Sequence, residues 1–572
     1  MLRPARTRLS VLAVLVALLA VLAISPADAK GGKKDKEPTV PVRLLTINDL
    51  HGALDPPAGS SGRITNESLA LVDAGGAAYL STHIDAHTDD DTLLVAAGDL
   101  IGATPLLSAA YHDEPTIQIL RELGLEASAV GNHEFDEGYA ELLRIMDGQC
   151  HPVDGCSPAG KYKGSKFDFL GANVKTTDGD DALEPFHLER INGEVVGFIG
   201  LVTRSTPTIV TASGIEGLDF RDEVTEANKV SNALRRMGVQ AQVVLMHEGD
   251  QVTPGQSPDS CPLVPGAGSA INAGLSPEID VIVSGHSHQA YVCQMVDPAG
   301  NVRYMTQGSS NGRVLTQIDF RIDKKSNEIV RESVTVDNHV VTRTVTPDPE
   351  IAALLDFWRT AVAPVANRPI GTITADIPQT AAPSGESPMG LLLADAFLEG
   401  TAAGGGAEIA FMNSGGVRNS LNYVASGAEG DGVVTYGEAF AVQPFNNLMQ
   451  VITMTGAQLD LVLEQQFTGG PNNQPFNKIL QPSENLAYTV SSGAAWGSKV
   501  SGITIDGVPV TDGQQIRVAV SNFLVGGGDA YTAFTQGTDV WSGPLDIDLF
   551  EDYLIAHPNT APPVTNRVTM VP

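Results

Sequence analysis

Positive charge is scarce in this sequence: 35 Lys and Arg residues stand against 67 Asp and Glu, a formal net charge of -32. A field of that sign repels long nucleic acids and anionic membranes, which argues against a general basic groove and a nucleic-acid polymer as partner. Any phosphate bound must be met by a local cation or by a few placed arginines. Cysteine is scarce too. Cys150, Cys156, Cys261 and Cys293 all lie before residue 300, and none forms a metal-type CxxC pair. The last residues, TNRVTMVP, carry no hydrophobic tail, no Cys follows the first apolar run, and there is no paired-arginine motif, so no stable membrane anchor is expected.

What is present begins with a leader. Arg3, Arg6 and Arg8 precede an apolar run at 11–24, and Pro26 and Ala27-Asp28-Ala29 follow it. The run is short for a bilayer span and ends at an A-x-A site, which predicts a removed secretory signal over 1–29 and an exported, soluble product. Residues 30–40 are Gly-rich and polar and read as a flexible lead-in. In an exported chain four cysteines suggest two disulfides. Proximity favours Cys150 with Cys156 and Cys261 with Cys293, although three connectivities are possible.

At 572 residues, 42% hydrophobic and 18% charged, the chain is globular and exceeds one core, so two or three domains are expected. Its first half repeats one pattern. Short apolar runs, of the kind that make strands buried on both faces, run straight into metal-ligand residue types. Residues 42–47 lead into Asp49 and His51, 92–97 into Asp99, 127–130 into Asn132 and His133, 243–246 into His247, and 281–283 into His286 and His288. Any one of these is as compatible with a helix cap, a turn or a core histidine. Five together point to loops converging beyond the ends of sheet strands. The run 195–202 is a similar strand with no such residue at its end, so the pattern is not a habit of the sequence.

The stretch 130–136, VGNHEFD, concentrates the chemistry. An Asn oxygen can ligate a cation, the adjacent His can protonate or stabilise a leaving oxygen, and an Asp three residues on can hold that ring's tautomer. Arg63, Asp55 and the acidic run 89–91 have no evident partner and read as solvated loop residues.

In this order NDLHG, GDLIGATP, GNHEFDEG, a lone His after VVLM, and GHSH resemble the calcineurin-like metallophosphoesterase domain. FLGAN near Asn173 and IGLVTRSTP narrow the resemblance to the secreted bacterial 5'-nucleotidase family, which includes UDP-sugar hydrolases and 2',3'-cyclic-nucleotide phosphodiesterases. The resemblance implies two divalent metal ions, Zn, Mn or similar. Asp49, His51, Asp99 and His288 would hold one, and Asp99, Asn132, His247 and His286 the other, with Asp99 bridging. His133 would be catalytic without being a ligand, oriented by Asp136. Some nucleotidases carry Gln where His288 stands.

The implied fold is α/β. A four-layer metallophosphoesterase β-sandwich flanked by helices would occupy 41–345, a linker helix 346–366, and an α/β nucleotide-binding domain 367–572. Ile351, Leu354, Leu355 and Trp358 have helical spacing after an acidic start, and Pro364 and Pro369 mark a break. In the second half NSGGVRNSL is a Gly-rich loop with Arg418, suited to an anion. QPFNN and NFLVGGGDAY follow in family order. By resemblance Phe445 and Phe523 would sandwich a base, Asn413, Asn447 and Asp529 would hydrogen-bond base or ribose, and Arg418 would contact phosphate. The segment TAAPSGES lacks a further phosphate-binding Arg expected there.

The implied function is release of phosphate from nucleoside 5'-monophosphates by metal-activated water, with a nucleotide as the small-molecule partner. Cyclic nucleotides or UDP-sugars are the alternative within the fold. A non-catalytic secreted binding protein is the alternative outside it, and the His133–Asp136 dyad argues against that.

Overall fold

The computed structural model describes residues 38–572 apart from 58, 211, 254, 446 and 475. The expected signal, and the lead-in up to residue 37, lie outside the described residues. Among these, no helix is long and apolar enough to cross a membrane.

Two six-stranded sheets dominate the first half. One runs in the order Thr335–Val340, Val314–Asp323, Thr39–Ile47, Thr92–Ala97, Leu125–Ala129, Asp168–Leu170. The other runs Ala290–Val296, Val302–Gly308, Val281–Ser284, Ala241–His247, Glu194–Val202, Phe186–Ile191. The central neighbours are parallel in both.

Alternation along the strands explains why they read as continuous apolar runs. Val42, Leu44, Val95, Ala97, Val243 and Leu245 point into the layer between the sheets, with Phe198 and Ile318. Their neighbours Leu45, Ile47, Leu94 and Ala96 point outward, onto the helices Ala77–His87 and Glu114–Leu123. Val244 and Met246 point the other way, onto Glu223–Met237. Successive side chains leave a strand on opposite faces, so a strand with helix on one side and sheet on the other must be apolar throughout. The result is the expected four-layer sandwich of helix, sheet, sheet and helix.

The helix Pro349–Ala366 starts where Asp348 caps it, accepting from the amides of Glu350 and Ile351. It buries Ile351, Leu355, Trp358 and Val362 in one cluster with Leu54, Ala77 and Leu106 of the first half and with Ile370, Phe397 and Phe440 of the second. Pro364 lies inside its last turn, so the break falls after Ala366. Asp55 is paired rather than merely solvated: it accepts from Arg359 Nε of this helix at 2.8 Å. Arg63 pairs with Asp73 and Asp89 with Arg43.

Beyond the helix, a five-stranded sheet runs Gln481–Pro482, Ile409–Met412, Gln515–Ser521, Leu448–Thr455, Thr538–Leu545, with the buried helix Pro388–Gly405 against it. A four-stranded sheet contains Leu486–Ser491 and Val568–Val571 in parallel. The disulfides are Cys150–Cys156 and Cys261–Cys293, with Cα separations of 4.4 and 4.9 Å.

Candidate dinuclear metal site

Five strands of the two sheets end at one place. The loops after Thr39–Ile47, Thr92–Ala97 and Val281–Ser284, and the last residue of Ala241–His247, bring Asp49, His51, Asp99, His247, His286 and His288 together, and the loop after Leu125–Ala129 carries Asn132 and joins them through the His133 amide, which donates to Asp99. Ligand atoms of Asp49, His51, Asp99 and His288 lie within 4.8 Å of one another, as do those of Asp99, His247 and His286. Asp99 belongs to both groups.

The backbone at these turns is unusual. Asp49, His51, Asp99, His286 and His288 have φ of 49°, 47°, 50°, 70° and 58°, in the left-handed region that costs a non-glycine residue on the order of 1–3 kcal/mol. Glycine is required beside them. A Cβ on Gly131 would stand 2.2 Å from Asp99 Oδ1, and one on Gly98 would stand 2.7 Å from His247 Nδ1.

Tautomers are set from behind. His51 Nδ1–H donates to Gly102 O at 3.0 Å and His247 Nδ1–H to Ala97 O at 2.8 Å, which leaves each Nε2 lone pair facing inward. His51 Nε2 then lies 3.1 Å from His288 Nε2, and His247 Nε2 lies 2.9 Å from Asp99 Oδ2. Lone pairs so opposed repel unless a cation or proton lies between them. Such separations fit ligand atoms sharing an ion, roughly 3–3.5 Å apart when each is about 2.0–2.2 Å from it. Asn132 Oδ1 is buried with no hydrogen-bond partner, another acceptor waiting for a cation. Two carboxylates, four imidazoles and an amide suit divalent ions of the zinc or manganese type, so the residues fit the ions this fold implies.

The electrostatics agree. Burial alone would raise Asp99, but the facing rings of His247 and His133 outweigh it and hold the carboxyl well below the usual range. Burial alone would lower His247, yet Asp99 beside it pushes the imidazole up to about 10. Positive charge of some kind is favoured at this point. His51, dominated by burial, falls to about 3 and stays neutral, as a ligand must.

His133 and Asp136 sit at the rim. His133 Nδ1 lies 2.7 Å from Asp136 Oδ2, its amide donates to Asp99 Oδ1 at 2.9 Å, and its ring is 5.1 Å from that of His51. Burial lowers its pKa, but Asp136 and Asp99 outweigh that and raise it.

The second half reaches the same rim. The Phe445 ring stacks 6.0 Å from His133, and the Arg418 guanidinium lies 5.7 Å above Phe445. A cavity of about 550 Å³ between the halves is lined by His51, His288, Arg313, Arg418, Asn419 and Pro444, among others. Asn413 donates to Asp529 Oδ2 at 2.8 Å, and Lys478 Nζ lies 2.6 Å from Asp529 Oδ1. Phe523 packs on Gly528 at the edge of a separate core cluster, with no ring contact to Phe445 among the described residues. Asn447 turns elsewhere, donating to Asp546 Oδ2 at 3.1 Å.

Several residues escape a sequence reading. Glu134 is buried behind the loops and accepts from the amides of Asp99, Leu100 and Ile101 at 3.0, 2.8 and 3.3 Å. Burial, then Asp99, pushes it up to about 7. Asn48 accepts from Gly308 N at 2.8 Å and donates to Ser309 O at 2.6 Å, pinning the first loop. Their places in GNHEF and INDLH are the only sequence signal.

Comparison with known proteins agrees with this geometry. Residues 42–290 match the calcineurin-like phosphoesterase family model and 369–536 the 5'-nucleotidase C-terminal domain model. The chain is 33% identical over 554 residues to the cell wall protein Lmo0130 of Listeria monocytogenes, covering 90% of this chain and 67% of that protein. It is 29% identical over 551 residues to the endonuclease YhcR of Bacillus subtilis, covering 93% of this chain but spanning only 41% of that protein's length. A 5'-nucleotidase precursor from Thermus thermophilus shares the fold, with a TM-score of 0.73, 24% identity, and coverage of 93% of this chain and 99% of that one. The sequence motifs, the converging ligand loops and both family matches thus agree, and the chain belongs to the 5'-nucleotidase family, a calcineurin-like phosphoesterase domain followed by a 5'-nucleotidase C-terminal domain.

Proposed function

We propose that this metal-dependent phosphohydrolase acts outside the cell and removes phosphate from nucleoside 5'-monophosphates. The observation that carries the reading is the facing of two surfaces. Two ligand groups sharing Asp99 lie on one side, and Arg418 and Phe445 of the second half lie across from His133.

In this reading Asp49, His51, Asp99 and His288 hold one divalent ion, and Asp99, Asn132, His247 and His286 hold the other. Bound there, the pair supplies a nucleophile near neutral pH and neutralises phosphoryl charge. The chain's own residues do the rest. Asp136 accepts from His133 Nδ1–H, so Nε2 is the atom that carries a proton toward the leaving ribose oxygen. Arg418 presents a fixed fork to the phosphate. Phe445, with Phe523, offers flat faces to a base, which tolerates any base and selects weakly. Asn413 and Asp529 face ribose or base, and Lys478 holds the Asp529 carboxylate in place. Asn447 serves the base only if it exchanges its bond to Asp546. The two disulfides and the leader support export.

A second reading is favoured by one observation: the loop before Gly385, TAAPSGES, offers no Arg to a terminal phosphate. Phosphodiesters, such as 2',3'-cyclic nucleotides or UDP-sugars, need that charge less. Turnover of AMP, UDP-glucose, 2',3'-cyclic AMP and p-nitrophenyl phosphate, with Mn or Zn added, separates the readings when it is read as free phosphate for the monoesters and as the monoester product, resolved by chromatography, for the diesters. Fastest release from AMP supports the first, and fastest turnover of a diester overturns it in favour of the second.

A further inference from the structure

A second group of metal-ligand side chains lies away from the dinuclear site. His112 follows the short helix Leu106–Ala109, while His151 and Asp154 lie in the seven-residue loop closed by Cys150–Cys156. Ligand atoms of His112, His151 and Asp154 lie within 4.8 Å of one another. Asp154 Oδ2 is 2.9 Å from His112 Nε2 and 3.2 Å from His151 Nδ1, and the two imidazoles stack with centroids 3.7 Å apart. Those separations are close to the roughly 3–3.5 Å expected between ligand atoms around one ion bound at about 2.0–2.2 Å.

Two features make this more than a surface ion pair. Glu137 Oε2 stands 2.8 Å behind His112 Nδ1, the carboxylate–histidine arrangement that fixes a tautomer and leaves Nε2 for a metal. The Cys150–Cys156 loop is the second: it keeps His151 and Asp154 together, with the Asp154 amide donating to His151 Nδ1 at 3.1 Å, a bond that an ion at Nδ1 displaces. Glu141 is taken up by Arg144 and stays outside the set. Asp154 is 65% exposed, which leaves the outer side of the group open to water.

We infer that His112, His151 and Asp154 form a further, surface site for a single divalent transition ion such as zinc, with Glu137 positioning His112 and the disulfide holding the other two ligands in register. Two imidazoles and a carboxylate select ions of this class over calcium or magnesium, which take oxygen ligands.

The test is zinc content of the full chain after equilibration with zinc and removal of unbound metal, for the wild type, His151→Ala and Asp154→Asn. One zinc fewer per chain is expected in both variants, with phosphate release within about twofold of wild type as the control that the fold and dinuclear site persist. Equal zinc content in the three proteins overturns the inference.

Discussion

His133 and Asp136 are three residues apart in sequence and 2.7 Å apart in space, joined across one turn so that the ring's outer nitrogen is aimed away from its carboxylate partner. The dyad sits beside Asp99 because the His133 amide is itself tied to that carboxylate. In the proposed reaction a group so placed moves a proton and is not a metal ligand.

His133→Ala should therefore lower kcat by about 10²- to 10⁴-fold while leaving metal content at the dinuclear site unchanged. Asp136→Asn should lower kcat less, because the ring stays in place but loses its orienting charge. Steady-state kinetics beside metal analysis checks both. Loss of bound metal in His133→Ala would make His133 a ligand instead.

Arg418→Ala should act mainly on KM for a phosphomonoester. The guanidinium faces the cavity over Phe445, so its loss removes about 1.5–3 kcal/mol of charged hydrogen bonding, or roughly 10- to 150-fold in kcat/KM. Uncharged nucleosides tested as inhibitors should bind the variant as well as the wild type.

The two disulfides should differ in worth. Cys261 and Cys293 are 32 residues apart and Cys150 and Cys156 only 6, so loop-closure entropy assigns about 3.5 kcal/mol to the first and about 2 kcal/mol to the second. Replacing each pair by Ala and measuring urea unfolding gives the order directly.

His112 gives a pH signature in metal-free protein. Burial alone would lower its pKa, but Glu137 and Asp154 outweigh burial and push it up to about 9 from an ordinary 6.5. A raised value means that its contribution is fully present below about pH 6.5 and is lost as pH rises through 9. The stability difference between wild type and His112→Gln in chelator, read as the urea midpoint, should be largest at pH 6 and close to zero at pH 10.

The parts legible in sequence share one property. Strands such as Thr39–Ile47 are buried on both faces, so apolar runs mark them, and the ligand-type residues that follow come together because the turns beyond strand ends are where loops converge. What stays hidden depends on backbone amides or on distant partners. Glu134 holds four amides, those of Asp99, Leu100, Ile101 and Gly131, which leaves no side-chain pattern to read. Lys478 meets Asp529 across 51 residues, and Asn447 finds Asp546 across 99, so only the folded chain reveals that the Asp529 carboxylate is paired and the Asn447 amide is occupied. Asp55 reads as solvated in sequence and is held by Arg359, 304 residues away. Pro364 and Pro369 read as a break, and the helix ends at Ala366 with Pro364 tolerated in its last turn.

Asp49, His51, Asp99, His286 and His288 all hold left-handed backbone, and carbonyls fix the rear nitrogens of His51 and His247, so the chain's own turns aim these side chains at one another. Turn angle and residue type therefore act together: a change that relaxes one of these turns removes its side chain from the group as surely as a change of the side chain itself.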